Sequence, residues 1–180
     1  MISDEQIQKG LTNSCIPSFV FSTTLVKEGA PELRKIVAER TLIRPYGMRG
    51  VFVHPCNKGS MNKARRMFYL LAKEMHLSGI SVHCIPMYRL VEHITSDDFS
   101  VEMERIESVK MVFVLDFCEK GTPMPYSPAH AAALRTWLRE RFESGKAASF
   151  LSDLPLEASA IWWAESIIGF IGDNTITQAI

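Results

Sequence analysis

Short apolar runs alternate with helix-forming segments along most of this chain, and this alternation constrains the fold more than any other feature. Four runs, at 51–53, 80–85, 110–116 and 147–151, are expected to be strands, and a fifth short strand is expected at 167–171. The runs are continuously apolar, which is typical of strands buried on both faces. The helical segments between them favour a parallel arrangement. The sequence therefore predicts an α/β fold with a parallel five-stranded sheet and helices on both faces.

The spacing of apolar residues places the helices between these strands. They are expected at 30–41, 62–76, 88–94, 97–107, 129–143 and 156–164, and Asp97 is expected to cap the fourth. Segments with Gly and Pro, at 44–50 and 121–128, are expected to be loops. Residues 1–29 show no strong periodicity and are interpreted as an N-terminal arm or irregular lead-in. One α/β domain is expected to occupy residues 30–180.

Composition indicates a soluble protein, and a cytoplasmic location is expected. The hydrophobic share is 47% and the charged share 22%, both ordinary for a globular domain. We find no apolar run long enough to cross a bilayer and no basic start typical of a secretory signal. The four Cys are widely separated without a C-x-x-C pair, and the five His are dispersed. No metal site is expected, and all four thiols are expected to be reduced.

The charges are distributed unevenly although the net charge is zero. Residues 33–75 contain ten Lys and Arg against two Glu, a net +8, whereas 147–180 contain four acidic and no basic residues. A basic segment suggests an anionic partner. Four side chains cluster around the start of one predicted helix: Lys58, Lys63, Arg65 and Arg66. They are candidates for contacts with DNA phosphates, and a solvated helix face is the equally open alternative.

The strand at 51–53, the loop after it and the helix that follows form the context of a phosphate-binding P-loop. Such a loop reads G-x-x-x-x-G-K-[ST]. Here His54 stands in place of the first Gly, Gly59 matches the second, and Ser60 and Met61 replace the Lys and the Ser or Thr. The residues of this degenerate loop are His54, Asn57, Lys58, Gly59, Ser60 and Met61. An ordinary strand-to-helix turn that never bound nucleotide is the alternative.

Two later landmarks join this loop, and the three together resemble the AAA+ ATPases. The resemblance is to the branch of bacterial helicase loaders and insertion-sequence ATP-binding proteins, and it covers roughly residues 17–175. The run 111–116, which ends in Asp116, resembles a Walker B strand, and 141–157 resembles a helix with a late Arg followed by the sensor-1 strand, with Asp153 at the sensor position. Asp116 could instead cap a loop, and Asp153 could form a turn before Pro155. The resemblance implies an AAA+ core, here without a C-terminal lid.

The departures from the family pattern fall on its catalytic parts. Ser60 lacks the ammonium group that holds the β- and γ-phosphates, and Met61 lacks the oxygen that holds Mg²⁺. Phe117 stands where the family often has a second acid, Asp153 replaces an Asn, and 167–173 contain no Arg for a neighbouring subunit's nucleotide. The resemblance therefore implies a pseudo-ATPase with no catalytic residues and no cofactor.

The function expected is that of a catalytically inactive adaptor or regulator of DNA replication, acting in helicase loading or its inhibition. Its partner would be a replicative helicase or a loader protein, with DNA as a further candidate, and the oligomeric state is left open. One alternative is an ATP-binding loader ATPase in which Lys58 or Lys63 replaces the missing lysine and Glu119 orients water, with ATP and Mg²⁺ as cofactors. Another is an unrelated hydrolase that uses Cys118 or Cys56 with a His.

Overall fold

A parallel five-stranded sheet forms the centre of the protein. The computed structural model describes residues 3–25, 27–28, 30–39, 42–45, 47–56, 61–96, 100–119 and 126–180. The sheet consists of β3 (Gly50–His54), β4 (Val82–Pro86), β5 (Met111–Leu115), β6 (Ala147–Leu151) and β7 (Thr175–Ala179), in the order β4-β5-β6-β3-β7. All four strand pairs are parallel. Residues of β5 and β6 are buried throughout, as the continuous apolar runs predicted.

Seven α-helices cover the sheet among the described residues. They are α1 (Asp4–Asn13), α2 (Pro31–Ala38), α3 (Met61–Leu77), α4 (Met87–Thr95), α5 (Val101–Ser108), α6 (Pro128–Glu143) and α7 (Glu165–Asn174). Short 3₁₀ helices occur at Ser18–Val20 and Glu157–Ile161, and β1 (Ile43–Arg44) pairs antiparallel with β2 (Gly47–Met48). No helix in the described ranges is both long and apolar enough to span a bilayer.

Each face of the sheet packs against its own hydrophobic core. On one face, Leu11 of α1, Leu33 of α2 and Phe68 of α3 are buried together. On the other, buried side chains of α4, α5, α6 and α7 pack against the sheet, with Trp137 and Ile167 among them. The predicted architecture, a five-stranded parallel sheet with helices on both faces, is confirmed.

The N-terminal segment is more ordered than its sequence suggested. Asp4–Asn13 form a helix whose start is fixed by a capping box between Ser3 and Gln6. Its last turn and the following chain contribute Leu11 and Val20 to the core of the α3 face. The prediction of an irregular lead-in is therefore wrong for this part of 1–29, because a short helix with few buried positions gives only a weak periodic signal. A domain boundary near residue 30 stays a prediction.

The last strand of the sheet lies further along the chain than the sequence predicted. The run 167–171 was predicted as the fifth strand, but it lies within helix α7, where Ile167 and Ile171, four residues apart, both face the core. A five-residue apolar run fits either structure. The fifth strand is β7, where Ile176 and Gln178 are partly buried while Thr177 and Ala179 are exposed. The helix predicted at 156–164 is reduced to the 3₁₀ turn Glu157–Ile161.

Two smaller differences from the prediction involve a loop and a helix cap. The predicted loop 44–50 includes the β1–β2 hairpin. Helix α5 begins at Val101, capped by the Ser100 hydroxyl, which accepts from the Met103 N–H at 3.1 Å; Asp97 lies outside the described residues. Gly50 brings β3 against β6, since an added Cβ there would lie 1.7 Å from the Ala148 carbonyl oxygen. The close strand approach excludes any side chain at this position.

Two imidazoles, the buried one of His83 and the partly buried one of His76, make the stability of the fold dependent on pH. Burial lowers the pKa of both His76 and His83, and for His83 the Glu102 carboxylate partly opposes this. An unfolded chain binds these protons at about pH 6.5. The unfolded state therefore takes up more protons below that pH, and stability falls as the pH drops from 6.5, by up to about 1.4 kcal/mol per pH unit for each proton.

The double variant His76→Gln/His83→Gln should lose less stability between pH 7 and pH 5 than the wild type, as urea unfolding at each pH would show. Equal slopes in the double variant and the wild type would contradict this assignment.

Candidate functional site

Three predicted site residues meet at the carboxyl edge of the sheet, because the strands that lead to them are parallel. His54 ends β3, Asp116 follows β5, and Asp153 follows β6 by two residues. Met61, the last residue of the predicted loop, begins α3. The loop residues Asn57, Lys58, Gly59 and Ser60 lie outside the described residues, so their predicted role is neither supported nor opposed. The Met61 side chain packs against the apolar core of the α3 face.

The acid of the Walker B-like strand is paired with an arginine. Asp116 Oδ1 accepts a hydrogen bond from Arg65 Nη2, and the two side chains form an ion pair. Arg65 lies one helical turn after Met61, on the same side of α3. The pair is partly shielded, with 42% of the Arg65 and 32% of the Asp116 side chain exposed. The guanidinium therefore lies between α3 and β5, beside the carboxylate that would bind a metal in an ATPase of this pattern.

The carboxylates of Glu119 and Asp153 also influence the Asp116 carboxyl group. Burial raises the pKa of Asp116, Arg65 counteracts that rise, and the negative charges of Glu119 and Asp153 add to it. A cation at this position is therefore favoured electrostatically. Arg65 supplies that cation from within the chain.

Asp116 also redirects the chain into the core. It has a φ of 57°, in the left-handed region that Asp enters more readily than most residues. Phe117, which follows, is fully buried, and its ring stacks on Trp163 with centroids 5.4 Å apart and planes 18° apart. Trp163 stacks in turn on Tyr126 at 4.5 Å, and its Nε1 donates to the Phe117 carbonyl at 3.2 Å. The position at which the family often has a second acid is thus part of the hydrophobic core.

The predicted sensor position is held by backbone contacts. The Asp153 N–H donates to the Cys118 carbonyl at 2.9 Å, and the Ser152 N–H donates to the Val53 carbonyl at 3.0 Å. The Ser152 hydroxyl accepts from the Leu154 N–H at 3.1 Å. These bonds tie the turn after β6 to the ends of β3 and β5. Asp153 therefore lies in a turn, the alternative that the sequence offered for it, and its role at a sensor position stays a prediction.

The basic cluster is largely occupied by contacts within the chain. Arg66 pairs with Glu28 at 2.7 Å and lies over the Phe19 ring, 5.9 Å from its centroid. This contact lowers the pKa of Glu28. Arg65 is engaged by Asp116, Lys63 is exposed, and Lys58 lies outside the described residues. Two of the four predicted phosphate contacts thus have acidic partners of their own, and contact with DNA stays a prediction.

The cysteines give little support to thiol chemistry. Cys118 is 1% exposed, and burial raises the pKa of its thiol to about 11. Such a thiol stays protonated near neutral pH and is a poor nucleophile. Cys56 is exposed. Across the described ranges, no group of three or more His, Cys, Asp or Glu is arranged to hold a metal ion.

The described residues at the Mg²⁺-binding positions of the ATPase pattern do not fit that ion. At the start of α3 the ATPase pattern has a hydroxyl group that binds Mg²⁺, and this chain has the thioether of Met61 instead. Thioethers are soft ligands that suit Mg²⁺ poorly. The carboxylate of Asp116 is engaged by Arg65. Phe117 has no group that could orient water. Each of these three departures opposes metal-dependent phosphoryl transfer.

Solved structures of replication proteins share this architecture. A crystal structure of DnaI is similar with a TM-score of 0.66 and 15% sequence identity, covering 91% of this chain and 90% of DnaI. A crystal structure of the DnaC helicase loader has a TM-score of 0.65 and 12% identity, covering 96% of this chain and 99% of DnaC. The chain thus shares its fold with DnaI and with the DnaC helicase loader. AMPPCP-bound DnaA from Aquifex aeolicus is also similar, with a TM-score of 0.57 and 10% identity over 94% of this chain and 49% of DnaA.

The loader fold was therefore correctly predicted from the resemblance. No protein-family model matches the sequence, and no curated protein matches it either. At these identities the structures establish the fold, whereas the chemistry of the site must be argued from the residues of this chain. The Arg65–Asp116 pair was missed in the sequence. The four-residue spacing of Met61 and Arg65 places both on one side of α3 but does not indicate the contact with Asp116.

Proposed function

We propose that this chain is a non-catalytic protein with the loader fold, acting as an adaptor or regulator in the loading of a replicative helicase. The observation that carries the proposal is the ion pair between Arg65 and Asp116. In a working ATPase of this pattern the Walker B acid acts through Mg²⁺. Here the cation beside that acid is a guanidinium, which cannot bridge two phosphate groups as a metal does.

The surrounding residues support the same conclusion. Met61 packs against the core and Phe117 stacks on Trp163, so both positions now contribute to packing. Loss of a metal ligand and of a water-orienting acid at one site leaves no route to hydrolysis at a useful rate. The proposed protein thus keeps the fold of an ATPase and works through its surface.

The partner we propose is a replicative helicase or a loader protein that binds it. The support is the fold shared with DnaI and the DnaC helicase loader, along nearly the whole length of each. We expect binding of this partner to be independent of nucleotide, because Met61 and Phe117 replace the residues that would bind Mg²⁺ and orient water. Exposed Lys63 leaves DNA as a further candidate partner.

The nucleotide part of the proposal is tested by isothermal titration calorimetry with ATP and Mg²⁺. We expect no saturable binding, which corresponds to a dissociation constant weaker than about 1 mM. A micromolar constant would favour the alternative, a loader ATPase with a non-standard loop. The variant Asp116→Asn then locates the site, because metal-dependent binding there would weaken. Its control is Asp4→Asn, at the exposed start of α1, which should leave binding unchanged.

The partner part is tested by biolayer interferometry with purified replicative helicase and, separately, purified loader protein. We expect saturable binding to one of them, with dissociation constants in ATP and in EDTA agreeing within about twofold. Binding to neither protein would overturn the adaptor role, and binding only with ATP would overturn its independence of nucleotide.

A further inference from the structure

A cavity of about 320 Å³ lies at the amino end of β4, at the end of the strands opposite Asp116. It is bounded by residues of α1, α3 and α5 and by the start of β4. Sites for small molecules measure about 300–1,000 Å³, so the space suits a small ligand. Among the described residues, its lining contains one guanidinium and two imidazoles but no carboxylate. The charge of this lining therefore favours an anion.

Both imidazoles that line the cavity have a buried ring nitrogen without a partner. His83 is 2% exposed, and its Nε2 makes no hydrogen bond to any described residue. Glu102 Oε1 lies 3.6 Å from this nitrogen, beyond hydrogen-bonding distance. His76 Nδ1 is likewise unpaired within the described ranges. Buried polar atoms are normally hydrogen-bonded. A rotation about the soft last torsion of each ring turns a nitrogen toward the cavity, where a ligand would satisfy it.

Gly10 gives the His76 ring its place beside α1. A Cβ atom at position 10 would lie 3.0 Å from His76 Nε2, closer than an ordinary contact. Glycine weakens the interior of a helix, so its presence in α1 is explained better by the space that it leaves. The His76 ring is thereby accommodated at the wall of the cavity.

Two further groups can donate hydrogen bonds to an anion in the cavity. Arg105 of α5 is exposed, and its guanidinium forms no ion pair with a described residue. The Ser81 hydroxyl accepts from the Lys110 N–H at 3.0 Å, so its own proton remains available to donate. A guanidinium binds the oxygens of carboxylate and phosphate groups with two parallel hydrogen bonds. Together with the imidazoles, these groups form a set of donors for an oxyanion.

The helix ends around the cavity oppose an anion less than their dipoles alone would. The carboxyl end of a helix favours cations, and α1, α3 and α5 all end here. In each helix a serine hydroxyl donates to a carbonyl of the last turn, and these pairs are Ser14 with Gly10 at 3.0 Å, Ser78 with Glu74 at 2.8 Å and Ser108 with Arg105 at 2.8 Å. Carbonyls at all three ends are thus bonded within the chain.

Glu102 is the acid that faces His83, and cations of α4 offset its charge. Its carboxylate lies 3.2 Å from His93 Nε2 and 3.8 Å from Arg89 Nη1. Arg105, from the same helix as Glu102, acts on His83 with the opposite sign. The groups of α4 and α5 around His83 therefore carry charges of both signs, and the cation that lines the cavity is Arg105.

We propose that this cavity binds a small molecule through an oxyanion group, which accepts hydrogen bonds from Arg105, Ser81 and the two imidazoles. The group is a phosphate or a carboxylate. Burial lowers the pKa of both imidazoles, and a bound anion would raise it, because an anion favours the protonated ring. The affinity for the anion should therefore rise as the pH falls.

Proton NMR of the histidine rings tests the site with two probe ions, sulfate for a phosphate group and acetate for a carboxylate. Sulfate keeps its charge near neutral pH, so a change in its affinity reports on the protein. We expect the signals of His76 and His83 to follow one saturation curve, with a dissociation constant of about 1 mM at about pH 6. Binding should be at least about threefold weaker at about pH 7.5. The probe that binds more tightly identifies the group. The His130 ring, at the start of α6, should not shift.

Arg105→Gln should weaken binding of the better probe at least about tenfold. The matched control is Arg139→Gln, an exposed cation of α6, which should leave the constant within about twofold. Because both arginines are exposed, thermal unfolding of both variants should match the wild type within a few degrees. Shifts that rise without saturating, a His130 signal that follows the same curve, or unchanged affinity in Arg105→Gln would each overturn the proposal. None of these readouts depends on whether nucleotide or helicase binds.

Discussion

Replacement of Arg141 by Met should lower the free energy of unfolding by about 3–5 kcal/mol. Arg141 is 2% exposed, and its guanidinium donates to three backbone carbonyls: Ala147 at 2.8 Å, Ile106 at 2.9 Å and Val109 at 2.8 Å. Burial lowers its pKa to about 10, so it remains charged at neutral pH. Methionine fills similar space but leaves all three carbonyls without these donors, and each unpaired group costs about 1–3 kcal/mol.

Urea unfolding measures this loss, and Arg139→Met is the matched control. Arg139 lies on the same helix but is exposed, so its replacement should change stability by less than about 0.5 kcal/mol. If Arg141→Met lost less than about 1 kcal/mol, the three hydrogen bonds would not be the anchor that joins α5, α6 and β6.

Lys73→Met should be the second most damaging substitution, with an expected loss of about 2–4 kcal/mol. Lys73 is 5% exposed, and its ammonium group donates to the carbonyls of Val20 and Phe21 at 3.0 Å each and to that of Thr23. The neighbouring Glu74 accepts from the Leu25 N–H at 2.8 Å. Lys73 and Glu74, adjacent residues of α3, thus hold residues 20–25 of the segment that follows α1.

Hydrogen–deuterium exchange gives this prediction a local readout. Loss of the ammonium should release residues 18–25, so their amides should exchange faster in Lys73→Met, while those of β5 change much less. Lys63→Met, on the exposed side of the same helix, should leave both stability and exchange unchanged. A uniform increase in exchange across the protein would show that Lys73 stabilises the fold generally and does not hold this segment in particular.

The sequence predicted those elements whose burial is continuous. The strands ending at Val53 and Asp116 were placed within about a residue, because a run buried on both faces carries no competing helical pattern. The run Ile167–Ile171 was misassigned, since five apolar residues fit a buried strand or one side of a helix equally well. Tertiary packing decides between them, and a single sequence does not contain it.

At the site, the sequence showed which groups were missing but not what replaced them. Met61, Phe117 and Asp153 could be compared position by position with a known pattern. The partner of Asp116 could not, because Arg65 is 51 residues away in the chain. A side-chain pair across that separation depends on the packing of α3 against the end of β5. Such contacts become visible only with the fold.

The aromatic stack of Phe117, Trp163 and Tyr126 bears on how this protein can evolve. A single mutation to Glu at position 117 would place a carboxylate at a fully buried position, against an indole ring. An acid at this position would therefore have to be acquired at the expense of stability. The proposed absence of hydrolysis is, for this reason, a state that one substitution at position 117 could not reverse.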